Sequence, residues 1–260
     1  MSDDAIRTQS RKVAATSAVS IGGAPVSYTA MFAALVAVMA FIPASIVVGG
    51  MGGGWPLHDV IHPVLGLLLG PIAGPIASVV GIVIGGVIAP YTNLGPWAFL
   101  IGGMSSFAVG MVMYPNRSLW YVPWVIVALL NVIYLFQALG YGIGLPLFFS
   151  NVFMVDIALV LIAIPKIRNW AIEHVRSPGS KPKEFAALFV IFFFGSTAGI
   201  QANWVPAFAT NPWPAEVWPV LVPIIAVERV VFSAVGALIA IGVLAALRRS
   251  TLPKAELAGY

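Results

Sequence analysis

The chain is written in long apolar runs, and the longest, from Leu57 to Ala89, is too long for a single membrane helix. A spanning helix uses about 20 mostly apolar residues. Gly70-Pro71 supplies a break that divides this block into two short helices. Read the same way, the remaining runs place helices at about 26–48, 97–114, 119–139, 142–165, 185–203 and 217–247. The expectation is an all-α, polytopic helical membrane protein with about eight transmembrane helices. Its single transmembrane domain covers 26–250, between tails at 1–25 and 251–260. Composition agrees: 60% of residues are hydrophobic and 8% charged, against roughly a quarter charged in soluble domains. So few charges cannot cover a surface that faces water. Gly and Pro are abundant but lie inside the apolar runs, as in packed and kinked membrane helices rather than a linker. The polar first 25 residues lack the compact apolar core of a cleaved signal.

Charge gives the direction of threading. With the N-terminus inside, every Lys and Arg except Arg229 falls in an inner segment, and Arg229 lies within the last helix. That one-sided bias predicts a multi-pass protein of the plasma membrane with both termini cytoplasmic. The outer loops are then 49–57, 90–97, about 139–144 and 203–216, rich in Gly, Pro, Asn and aromatics. The inner loop, 166–184, carries Ile167, Trp170, Ala171 and Val175 at helical spacing beside Lys166, Arg168 and Arg176, the pattern of a short helix lying on anionic lipid. No basic stripe with interleaved aromatics exists, so nucleic acid is not an expected partner. There is no cysteine, no P-loop, and no histidine placed beside an intramembrane serine, so no catalytic residue and no enzyme are expected.

Polar groups inside a bilayer are costly. Asp156, Glu228 and Arg229 lie at similar depths, and an Asp156–Arg229 pair is the expectation. Such a buried charge cluster serves either to hold helices together or to bind substrate or protons. Trp55, Asn131, Tyr134, Asn151 and Trp204 form a candidate substrate pocket beneath the glycine loop Gly49–Gly54, with Gln137, Gln201 and Asn203 nearby. Hydrogen bonding between helices is the competing reading of these amides. His58-Asp59-x-x-His62 sets two imidazoles on one helical face, the spacing of a divalent-metal pair, although no Glu lies between them as HExxH requires. A helix-start cluster or a contact to ligand is the expected role, with no metal or other cofactor.

Small residues recur. Ala30, Ala33, Ala34, Ala37, Ala40 and Ala44 give the first helix an alanine face, and Gly66, Gly70 and Gly74 repeat at intervals of four. Such faces permit close helix approach, within one chain or to a partner.

The alanine-rich first helix leads to Phe41-Ile42-Pro43-Ala44, a glycine loop, Leu57-His58-Asp59 and Gly66-Leu67-Leu68-Leu69-Gly70-Pro71-Ile72-Ala73-Gly74. This order, with Pro223 and Glu228 in a final helix, resembles the substrate-binding S component of energy-coupling factor (ECF) vitamin transporters. The resemblance implies a six-helix core, here with additions, and an extracytoplasmic pocket made by the first outer loop and the outer ends of later helices. It also implies docking of Ala30, Ala34 and Ala37 on a membrane coupling subunit driven by ATPases. Competing readings are a structural or assembly subunit of a larger membrane complex and a stand-alone secondary transporter.

Overall fold

The computed structural model describes residues 19–46, 54–140, 145–211, 216 and 218–260. The first 18 residues of the expected N-terminal tail and most of the glycine loop lie outside these. A short hairpin, β1 (Ser20–Ile21) with β2 (Ala24–Pro25), leads into eight helices. They are α1 (Val26–Met39), α2 (His62–Ile88), α3 (Phe99–Val112), α4 (Tyr121–Gly140), α5 (Leu145–Ala163), α6 (Pro165–Arg176), α7 (Lys181–Thr210) and α8 (Trp218–Arg249). A second hairpin, β3 (Pro43–Ile46) with β4 (Gly54–Pro56), joins α1 to a 3-10 turn at Leu57–Val60.

The block from Leu57 to Ala89 is divided where its glycine and proline require. Gly70 has φ 84° and ψ −175°, a conformation open in practice only to glycine. The chain reverses there. A side chain at Gly74 would lie 2.8 Å from the Leu65 carbonyl, and His62 Nδ1 is 3.2 Å from Ser78 Oγ. Residues 9 and 16 positions apart in a straight helix would be separated by roughly 14 and 24 Å. Thus α2 is a helical hairpin with antiparallel arms, 62–69 and 71–88, and its turn is capped by the C-terminal tail through Gly259 N–H to the Leu67 carbonyl at 2.9 Å.

Hydrogen bonds define two ends of the bundle. At the lower end Glu256 N–H bonds the Gly23 carbonyl at 2.8 Å. There too Arg176 Nη2 bonds the Met113 carbonyl at 2.6 Å, and Arg248 Nη1 reaches Glu184 at 2.7 Å. At the upper end Leu57 N–H bonds the Ile42 carbonyl at 2.8 Å, Tyr91 Oη the Phe41 carbonyl at 2.7 Å, and Trp97 Nε1 donates to Thr210 Oγ1 at 3.1 Å. Residues 20–25 and 251–260 therefore meet at one end, together with Arg176, Arg248 and Lys254. At that end burial and the charges of Arg176 and Arg248 lower the Lys254 pKa below its ordinary value.

Four stretches are long and apolar enough to cross a membrane: His62–Ile88, Ser118–Gly140, Lys181–Thr210 and Ile224–Arg249. In the first, only the 71–88 arm approaches that length, about 27 Å at 1.5 Å per residue. Large apolar side chains stand exposed on α4, α5 and α8, among them Phe136, Val160 and Leu238, the surface expected of helices facing lipid rather than water.

Three expectations are corrected. The first helix ends at Met39 rather than at 48, because Pro43 lacks an N–H and the following residues pair as a strand with β4. The seventh helix runs on to Thr210, so Asn203 and Trp204 are helical and buried rather than part of a long outer loop. The inner-loop helix forms as α6, but Ala171, Ile172 and Val175 are buried by the protein itself, and Arg168 lies 3.8 Å over the Trp120 ring.

Small residues seat the helices on one another. Side chains at Gly81 and Gly85 would strike Val36 and Ala40 of the α1 segment, and one at Gly66 would lie 2.1 Å from the Ser106 carbonyl of α3. The alanine face of α1 is therefore divided: Ala33, Ala37 and Ala40 are buried against α2, while Ala30 and Ala34 are exposed. Ala37, expected on a docking face, is covered by the chain's own α2.

Candidate functional site

The hairpin β3–β4 and the turn after it carry Ser45, Trp55, His58 and Asp59 into the bundle, where they meet Glu228 and Arg229 of α8 and His62 of α2. The charged residues and both histidines are buried. Because His62 sits opposite Ser78, eight residues into the 71–88 arm, the group lies near the middle of that arm.

Asp59 is the hub. Its Oδ2 accepts from Trp55 Nε1 and lies 3.6 Å from Arg229 Nη1, while its Oδ1 is 3.4 Å from His58 Nδ1 and 3.6 Å from His62 Nε2. Arg229 also faces Glu228 at 3.6 Å and Ser196 Oγ of α7 at 3.3 Å, and its guanidinium carbon is 5.1 Å from the Trp55 ring centroid and 5.0 Å from that of Phe232. Glu228 in turn accepts from the Ser45 hydroxyl. Two carboxylates oppose one guanidinium, a net charge of −1 with neutral histidines. Among the described residues, Arg229 Nε and Nη2 and Asp59 Oδ1 make no hydrogen bond although they are buried. Buried polar atoms without a hydrogen bond are costly; Arg229 Nη2 and Asp59 Oδ1 are compensated by ion-pair contacts of 3.4–3.6 Å, which leaves Arg229 Nε as the donor with no partner among the described residues. A narrow cleft lined by Pro56, Gly86, Thr92, Asn93 and Ile101 has His58 in its wall.

The candidate pocket residues separate into two groups. Trp55 belongs to the Asp59–Arg229 cluster. Asn131 donates to Asp156 Oδ1 at 2.9 Å, and Tyr134 packs on Trp204 and Phe208 with ring centroids 5.6 Å away in each case. Gln137 and Gln201 bond the carbonyls of Val205 and Leu130, so this second group ties α4 to α5 and α7, as the competing reading of the amides expected. The side chain of Asn151 lies outside the described residues. The expected Asp156–Arg229 pair does not form. Depth along the helices placed the two together, but Asp156 is on α5 facing Asn131, while Arg229 takes Asp59 and Glu228.

Ser78 and Ser106 are missed from sequence, and the expectation that no histidine stands beside an intramembrane serine is corrected, since His62 meets Ser78; yet one signal pointed to them. A reversal centred on Gly70 puts residue 62 opposite 78 and 66 opposite 74, and α3 packs across that seam. Ser106 Oγ donates to the His62 carbonyl at 2.7 Å and lies 2.6 Å from Ser78 Oγ.

No family model, curated protein or solved structure matches the chain.

Proposed function

We propose that this chain is the membrane-embedded capture subunit of an ECF-type importer, a multi-pass plasma-membrane protein whose Arg- and Lys-rich lower end faces the cytoplasm. It binds a small polar molecule from the extracytoplasmic side at the Trp55–Asp59–Arg229 cluster. The observation that carries this reading is the meeting of the first inter-helix loop with the last helix around the buried Arg229, whose Nε makes no hydrogen bond among the described residues, with two aromatic rings beside its guanidinium. A mostly apolar site with a few directed polar groups is what small-molecule recognition uses. The resemblance noted in the sequence implied a pocket of this origin, from the first outer loop and later helices. The chain has no P-loop, so ATP would have to be used by a separate subunit. The exposed side of α1, with Ala30, Ala34, Met31 and Leu35, offers close approach to a membrane partner.

The pairing of Glu228 with Arg229 inside the bundle favours one second reading, a stand-alone secondary transporter that moves protons through that carboxylate. The two are separated by reconstitution. A capture subunit in proteoliposomes retains substrate but does not accumulate it, and in native membranes it co-purifies with an ATP-hydrolysing partner that Ala34→Leu removes. Accumulation by the purified chain alone, driven by a proton gradient, would reject the importer reading.

A further inference from the structure

We propose that His58 Nδ1, Asp59 Oδ1 and His62 Nε2 form a binding site for one divalent transition-metal ion of the Zn2+ or Co2+ type. The proposal stands on these three side chains and does not rest on the importer reading. Their donor atoms are buried and converge, with separations of 3.0 Å between the two nitrogens and 3.4 and 3.6 Å from each to the carboxylate oxygen. Those separations put all three on a circle of radius about 1.9 Å, so an ion at the usual ~2.0–2.1 Å from nitrogen and oxygen would sit roughly 0.7 Å out of their plane.

A second observation concerns the atoms themselves. Asp59 Oδ1 is buried and accepts no hydrogen bond among the described residues, while its sister Oδ2 is taken by Trp55 and faces Arg229. The outer contacts also set the His62 tautomer. Ser106 spends its proton on the His62 carbonyl, so Ser78 donates to Ser106 and keeps only lone pairs for His62. His62 then carries its proton on Nδ1 and presents a lone pair at Nε2, the arrangement that second-shell partners impose on metal-ligating histidines; without an ion this lone pair accepts from His58 Nδ1–H at 3.0 Å, and an ion takes it once His58 carries its proton on Nε2. Charge agrees, because the net −1 of Asp59, Glu228 and Arg229 is brought to +1 by a divalent ion, and an anionic ligand completing the coordination would make it neutral. Two imidazoles and one carboxylate suit a borderline transition metal better than Mg2+ or Ca2+.

The test uses the untagged full-length chain in detergent, stripped with chelator and titrated with Co2+ and then Zn2+. The expected result is one Co2+ per chain with visible d–d absorption, bleached by stoichiometric Zn2+, and a Zn2+-dependent rise in melting temperature. His58→Gln and His62→Gln should each abolish stoichiometric binding in protein that remains folded by circular dichroism, whatever the metal-free melting temperature. Ser78→Ala should keep the stoichiometry with affinity weakened about tenfold. No bound Co2+ in the wild type, or equal binding by the His58→Gln/His62→Gln double variant, overturns the proposal. Should the variants not fold, X-ray absorption of the Zn2+-loaded wild type decides: imidazole scattering supports the site, and a shell of oxygen alone overturns it.

Discussion

Arg229 should be the least replaceable charge in the molecule, and the reason is countable. It faces two buried carboxylates, Asp59 and Glu228, each at 3.6 Å. At an effective dielectric of ~20, each attraction at that distance is about 4–5 kcal/mol before desolvation is subtracted. Arg229→Met therefore leaves a buried cluster of charge −2 with no cation, and the net cost should be roughly 3–5 kcal/mol. Asp59→Asn is the control, since it leaves Glu228 and Arg229 as a neutral pair and still offers Trp55 an acceptor. It removes one attraction but also one repulsion and one buried charge, so its cost should stay below about 2 kcal/mol. The assay is equilibrium unfolding of the purified protein in mixed micelles, with chelator present throughout. The Arg229→Met/Asp59→Asn double variant should lose less than the two singles together. If Arg229→Met costs no more than Asp59→Asn, the guanidinium is not holding both carboxylates and the account of the cluster is wrong.

Other expectations follow from packing and topology. Ala37→Leu should destabilise by about 1–3 kcal/mol, because the side chain is buried against Gly85, whereas Ala34→Leu on the exposed side should leave the melting temperature unchanged. Gly70→Ala should cost at least ~1–3 kcal/mol, since it forces a side chain into a glycine-only conformation where its Cβ would lie 2.6 Å from the Leu257 carbonyl, and the variant should show it as a lowered melting temperature. In this cysteine-free chain, a single cysteine at Asn211 should react with an impermeant thiol reagent in intact cells and one at Ser180 should not; labelling at Ser180 would reverse the threading.

Much of the architecture could be read from the sequence because long apolar helices announce themselves by length and apolarity. The Gly70-Pro71 break, the α6 segment and the helices between 97 and 165 were placed within a few residues of where they form. What apolarity could not show was how segments pack. The β3–β4 hairpin sits in an apolar stretch that reads equally well as the end of a helix. Arg229 and Asp156 share a depth, but depth along a helix says nothing about which way each helix turns its side chains. The true partner, Asp59, comes from a loop carried inward, and a sequence read as spans and outer loops leaves that residue at the surface. The alanine face was visible, but not its division into a side buried by α2 and a side left exposed.

The most direct test of ligand capture at the first loop and last helix is native mass spectrometry of the intact chain released from detergent. Wild-type protein should carry one small molecule besides lipid at near-stoichiometric occupancy. Trp55→Ala, in the Asp59–Arg229 cluster, should lose that molecule, while Tyr134→Ala, in the α4–α7 group, should retain it. Wild-type protein that carries lipid alone, or a bound molecule lost with Tyr134 and kept without Trp55, would contradict the account.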